Sequence, residues 1–185
     1  MDDAEVLGLA GVAASVAVAP TREAVVTQDF SAFYERTRDG VYRAVLLRAR
    51  APDVAEDACH EAYARALVRW ERLQSHPNPT AWVVQVAHNQ ATSWWRRRRH
   101  ELPNPPERPG RPDDVPFDEA LVRLVWQLPP RQRQVVGLRI LLDLSISETA
   151  RIMGMSPGTV KATLNHALQS LRGRIDESEP REPTR

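Results

Sequence analysis

The chain is 185 residues long, with a formal net charge of +1 and a single cysteine, Cys59. That length holds one ordinary domain or two small helical ones, and a lone thiol excludes an internal disulfide framework and fits a reducing cytoplasm. Fifteen prolines stand against eight glycines, and no ladder of alternating Val, Ile and Thr appears, so the composition favours punctuated helices over a β fold.

Residues 6–19 are apolar, but they follow Met1-Asp2-Asp3-Ala4-Glu5, acidic where a secretory leader is basic. The stretch is also short and alanine-rich for a membrane span. Residues 1–28 therefore read as a disordered or loosely helical extension, with no membrane role.

Three helical segments follow. Residues 30–50 carry Phe33, Val41 and Val45 at helical spacing and break at Pro52. Residues 53–70 place Ala55, Ala58, Cys59, Ala62, Ala66, Leu67 and Trp70 on one stripe, with Glu56, Asp57, His60, Glu61 and Arg65 on another face. The proline-rich loop 74–79 cannot continue a helix. The third segment, 80–100, turns Val83, Ala87, Ala91 and Trp94 inward and presents a polar stripe of Asn89, Thr92, Ser93 and Arg96. An amide, short hydroxyls and a guanidinium on one face suit hydrogen bonding to base edges and phosphates. Trp94 and Trp95 offer flat faces on which an unpaired base can stack. The arginine run 96–99, Arg97 included, can neutralise phosphates, or simply cap a solvated helix end.

Residues 101–116 are proline-rich and nearly devoid of large apolar side chains, the composition of a semi-extended tether. It separates a helical module at 29–100 from a second at 117–175, and a disordered tail at 176–185 follows. The second module opens with helix 117–127, breaks at Leu128-Pro129-Pro130, and resumes through 131–142.

Residues 144–172 carry the most specific local chemistry. Ile146, Ala150 and Met153 share one helical face, and Val160, Leu164, Leu168 and Leu171 share another. Gly154 between them supplies a residue tolerant of positive φ, Ser156 an N-cap hydroxyl, and Pro157 a preorganised first helical position. The pattern predicts a helix-turn-helix whose second helix reads a DNA groove. With the leucines turned to the core, its groove-facing residues are Thr159, Lys161, Ala162, Asn165 and His166. Lys161 can reach a phosphate or guanine edge, and Asn165 can pair bidentately with adenine.

Catalytic and metal chemistry are not indicated. The five histidines are scattered, Cys59 and His60 are adjacent rather than at ligand spacing, and no phosphate-binding glycine loop or nucleophile elbow occurs. No cofactor or metal is expected, and no enzyme activity.

The order of helical module, proline-rich tether and helix-turn-helix module, with these words, resembles an extracytoplasmic-function sigma factor of the sigma-70 superfamily. The first module, with FSAFYERTRDGVYRAVLLR, AEDACHEAYARALVRW and NPTAWVVQVAHNQATSWWRRRR, is similar to region 2. The second, with LPPRQRQVVGLRILLDLSISETARIMGMSPGTVKATLNHALQSLR, is similar to region 4. The ETA wording and the WWRRRR block look most like the actinobacterial SigE-like group. The resemblance implies an all-α cytoplasmic protein that binds core RNA polymerase and directs promoter recognition, DNA melting and initiation. It further implies that Glu56, Asp57 and Glu61 dock on the β′ clamp helices. Loop 74–79 with Asn89, Thr92, Ser93, Trp94, Arg96 and Arg97 then opens and reads the −10 element. The second helix of the helix-turn-helix reads the −35 element, with the β flap as its polymerase partner and an anti-sigma factor as a regulator.

The chain departs from the family pattern in two places. His60 stands where relatives commonly have Gln, and Thr163, Asn165 and His166 stand where arginines are common. Those side chains make weaker phosphate anchors at neutral pH. A stand-alone helix-turn-helix regulator would need a ligand or phosphoacceptor domain, and a recombinase would need a catalytic Ser or carboxylate cluster. Neither feature is visible.

Overall fold

The computed structural model describes residues 22–101 and 119–178, with side chains placed for 29–97 and 123–175. Eight α-helices are present among them: α1 (Arg22–Ala49), α2 (Pro52–Val68), α3 (Trp70–Leu73), α4 (Pro79–Glu101), α5 (Glu119–Trp126), α6 (Pro130–Val136), α7 (Ile146–Met153) and α8 (Pro157–Ser178). A π-helical turn, Gly137–Leu141, follows α6, and no strand occurs among the described residues. Helix α1 begins at Arg22, within the N-terminal extension read as disordered or loosely helical, and α8 runs to Ser178, past the expected start of the tail. Of the expected tether 101–116, Glu101 is the last residue of α4 and the rest lies outside the described residues.

Local chemistry sets the helix ends. Arg50 takes a left-handed φ of 61° and its N–H returns to the Leu46 carbonyl at 2.8 Å, which closes α1 before Pro52 starts α2. Asn78 caps α4, its Oδ1 accepting from the Ala81 N–H at 3.0 Å, with Pro79 at the first helical position.

The first module packs α1, α2 and α4 around Val41, Val45, Ala55, Ala58, Ala62, Val83, Val84, Ala87 and Ala91, all buried. The alanines let the three helices approach closely. One end is closed by aromatic rings: Phe33 lies 4.8 Å from Trp70 between centroids, and Tyr34 meets Tyr63 edge-on at 4.9 Å. The Tyr63 hydroxyl is hydrogen-bonded to Thr37 Oγ1 at 2.8 Å, so this core leaves that polar tip satisfied. Leu67, expected on the inward stripe, is 46% exposed. α2 ends at Val68, where the Arg69 N–H folds back onto the Ala66 and Leu67 carbonyls, and beyond that break Trp70 and Leu73 of α3 turn inward.

The second module has two small cores. Val135, Ala150 and Val160 lie between α6, α7 and α8, and Leu128, Val136, Ala167 and Leu171 lie along α8. Ala150 is buried where the two helices of the helix-turn-helix meet. The modules also meet each other, because Leu138, Leu144 and Ile152 join the core cluster of the first.

Candidate nucleic-acid and polymerase surfaces

The helix-turn-helix is built as its sequence chemistry dictates. Ser145 and Glu148 form a reciprocal capping box on α7, with Glu148 N–H to Ser145 Oγ at 3.1 Å and Ser145 N–H to Glu148 Oε2 at 2.7 Å. Gly154 is left-handed (φ 62°), and the Met155 N–H reaches the Ala150 carbonyl at 3.0 Å. Ser156 Oγ then accepts from the Thr159 N–H at 3.1 Å and caps α8. Val160 and Leu171 are buried, while Leu164 and Leu168 are half-buried. That leaves Thr159, Lys161, Ala162, Asn165 and His166 exposed together along the outer face of α8. Thr159 is partly committed, since its hydroxyl is hydrogen-bonded to Ser156 Oγ at 2.8 Å. Arg151 of α7 is exposed as well, a cation that the sequence pattern alone did not single out.

On α4, Val83, Ala87 and Ala91 are buried, and Asn89, Thr92, Arg96 and Arg97 are exposed, with Ser93 and Trp94 half-buried. Several of these side chains are engaged. Asn89 Oδ1 accepts from Gln85 Nε2 at 3.2 Å. The Thr92 hydroxyl donates to the His88 carbonyl at 2.7 Å and accepts from Arg48 Nη2 at 3.0 Å. Trp94 and Trp95 sit edge-to-face at 5.0 Å, and the Trp95 indole N–H donates to the Ala49 carbonyl at 2.8 Å. Trp95 therefore serves as a cap on α1 rather than a free stacking face. His88 points into the protein, where burial, and then the charge of Arg48, push its imidazole down to about 4 against a smaller opposite pull from the Gln134 side chain. It is a neutral side chain at physiological pH.

On α2, Glu56, Asp57 and Glu61 are all exposed, with Asp57 and Glu61 one turn apart. Glu61 Oε1 is paired with Arg65 Nε at 2.6 Å, which moderates its charge. The same stripe continues at helical spacing to Val68, which is 83% exposed, an apolar patch that sequence spacing did not reveal. Cys59, on the opposite side, is buried, and desolvation with the nearby Glu56 charge pushes its thiol up to about 12. No cluster of His, Cys, Asp and Glu among the described residues forms a metal-ligand set, and no described helix is long and apolar enough to cross a membrane.

Residues 33–101 match the family model for sigma-70 region 2, and residues 118–171 match that for sigma-70 region 4. The chain belongs to the sigma-70 family, in its extracytoplasmic-function branch. This sigma factor is 38% identical over 145 residues to the RNA polymerase sigma-E factor of Streptomyces coelicolor, with 75% of the chain and 82% of the relative covered. It is 35% identical over 149 residues to the RNA polymerase sigma-E factor of Streptomyces avermitilis, with 77% and 83% covered. Its fold is similar to that of the sigma factor RpoE of Bartonella quintana, solved in complex with the anti-sigma factor NepR. There the TM-score is 0.61 at 21% identity, over 82% of this chain and 99% of the other. Region 2 of this sigma factor thus comprises α1–α4, and region 4 comprises α5–α8.

Proposed function

We infer that this chain is an alternative sigma factor, which binds core RNA polymerase and directs promoter recognition, DNA melting and transcription initiation. The observation that carries this reading is the joint presence of regions 2 and 4 in the order and coverage of its relatives. A stand-alone regulator has no use for region 2. The protein performs no bond chemistry; it positions polymerase and DNA. It works in the cytoplasm, where polymerase and promoters are.

Three surfaces divide the work. Glu56, Asp57 and Glu61, extended by the exposed Val68, form the dock for the β′ clamp helices; an acidic rim steers and an apolar contact holds. Loop 74–79 with Asn89, Thr92, Ser93, Trp94, Arg96 and Arg97 opens and reads the −10 element. Captured unstacked bases need hydrogen-bonding edges and shaped contact, which these exposed polar groups beside a half-buried tryptophan supply. Thr159, Lys161, Ala162, Asn165 and His166 read the −35 element, with the β flap holding region 4 on polymerase. Their shared exposure on a helix whose start is capped by Ser156 supports that role. An anti-sigma factor is the regulator to seek, as in the RpoE–NepR complex.

Run-off transcription with core polymerase on a library of genomic promoters tests the reading. Initiation from a defined promoter subset that depends on this chain is expected. DNA binding without core binding or initiation would overturn it in favour of a free-standing regulator.

A further inference from the structure

Loop 74–79 leads from α3 into α4, and its backbone donors are nearly all accounted for. The Gln74 and His76 N–H groups reach the Trp70 and Leu73 carbonyls, each at 2.9 Å, and Gln74 Nε2 donates to the Glu71 carbonyl at 3.2 Å. Pro77 and Pro79 have no N–H to place; each fixes its own φ and presses the residue before it toward extended backbone. Between them the Asn78 N–H donates to the imidazole Nδ1 of His76 at 3.0 Å. That bond spans Pro77 and holds its ψ, the one soft backbone torsion that a proline ring leaves open.

The same bond settles the chemistry of the ring. A backbone N–H only donates, so Nδ1 is the acceptor, and the neutral imidazole carries its proton on Nε2. Asn78 passes the constraint on to α4. Its Oδ1 accepts from the Ala81 N–H at 3.0 Å and its carbonyl from the Trp82 N–H at 3.4 Å. Asn89 stands on the same rigid helix, about 15 Å further along at 1.5 Å per residue. The fold does not need the imidazole for any of this. Asn78 caps α4 with its own side chain, and Leu73, Ala81 and Val83 anchor both ends of the loop in the core. What half-buried His76 adds is the shape of the loop between those anchors.

We propose that His76 is a positioning residue for −10 capture, an imidazole strut that holds loop 74–79 in the shape that meets unpaired bases. A loop ordered before it meets DNA does not lose conformational freedom on binding, so the strut acts on affinity through preorganisation rather than through a contact of its own. Two prolines alone would leave the Pro77–Asn78 peptide free to turn, and with it the edge of the loop that faces the bases. The strut removes that freedom with one acceptor atom, Nδ1. This role rests on the assignment of loop 74–79 to −10 opening, whereas the hydrogen bond itself does not.

The test uses the full chain assembled with core polymerase, and a fork-junction DNA with a duplex −35 element and a single-stranded non-template −10 segment. The promoter is one that initiates in the run-off assay. His76→Ala should weaken fork-junction binding between about five- and thirtyfold, the equivalent of one residue's backbone freedom, with core affinity unchanged. His76→Asn should restore binding, because its Oδ1 stands close to the place of Nδ1 and can accept from the Asn78 N–H. His76→Gln, whose amide lies one bond further out, should not restore it. A role confined to stability would shift the unfolding midpoint without this rescue pattern. In the free full chain, two-dimensional ¹⁵N–¹H spectra of the histidine rings should show His76 as the Nε2–H tautomer. An Nδ1–H tautomer would overturn the strut, as would equal losses in the Asn and Ala variants. So would native fork-junction binding by His76→Ala while Asn89→Ala is impaired. Should His76→Ala fail to fold, the Asn and Gln pair decides alone. If neither His76→Ala nor Asn89→Ala alters fork-junction binding while core binding is kept, the −10 assignment fails and the role of the strut falls with it.

Discussion

The indole N–H of Trp95 donates to the carbonyl oxygen of Ala49 across 46 residues of sequence, at 2.8 Å. One of two adjacent tryptophans is thereby fixed as a piece of scaffold, while Trp94 lies half-buried beside the polar stripe. Trp95→Phe keeps the ring but leaves the Ala49 carbonyl without this donor, a loss of about 1–2 kcal/mol. Urea unfolding should show that loss, and permanganate footprinting should show a normal transcription bubble. Trp94→Ala and Asn89→Ala should give the reverse pattern, impairing open-complex formation more than duplex binding. Equal effects of all three on the bubble would refute the division of labour.

The polymerase dock makes a graded prediction. Because Glu61 is already paired with Arg65 and Asp57 is not so paired in any described contact, Asp57→Lys should weaken core binding more than Glu61→Lys. The double reversal should weaken it most, with helicity intact. Affinity for core polymerase by fluorescence anisotropy, at two salt concentrations, measures this, and the difference should shrink as salt rises.

For the −35 reader, Asn165→Ala should relax preference at one base at a loss of roughly 1–3 kcal/mol. Lys161→Ala should lower affinity for all sequences and flatten the salt dependence. Binding across −35 variants separates the two. A preference profile untouched by Asn165→Ala would remove that side chain from base reading.

His88 makes stability depend on pH. Its folded pKa, about 4, is below the unfolded value near 6.5. The unfolded chain therefore binds the proton first as pH falls. The contribution of the neutral, buried ring is complete above pH 6.5 and is lost as pH falls toward 4, amounting to about 3 kcal/mol. Denaturant unfolding between pH 7 and 4 should show a decline that His88→Gln flattens. An identical pH profile in that variant would place the decline on other groups.

What the sequence made legible was local. Gly154, Ser156 and Pro157 specify their turn by backbone preference and capping, so the helix-turn-helix and the outward face of α8 could be read directly. The alanine stripes of α2 and α4 likewise announced their buried faces. Relationships between distant residues were not legible. Leu67 carries an apolar side chain assigned to the inward stripe, yet it lies 46% exposed one residue before α2 ends. Arg133 reads as an ordinary exposed cation, and only its carbonyl partners on α1 and α5 account for its burial. Gly137 carries no turn signal of its own, because the reason for it is a leucine ninety positions earlier.

That distance has a consequence for synthesis. The bond from Arg133 to the Leu47 carbonyl joins residues 86 apart in the chain, so α1 through α4 leave the ribosome well before the helices that cover Ala44 and Leu47. Domains generally fold in the order of their emergence. The nascent first half must therefore display an oily patch and an open Leu47 carbonyl until its second half arrives. That interval is when the apolar patch is open to capture or aggregation, and slowing translation across residues 101–116 would lengthen it.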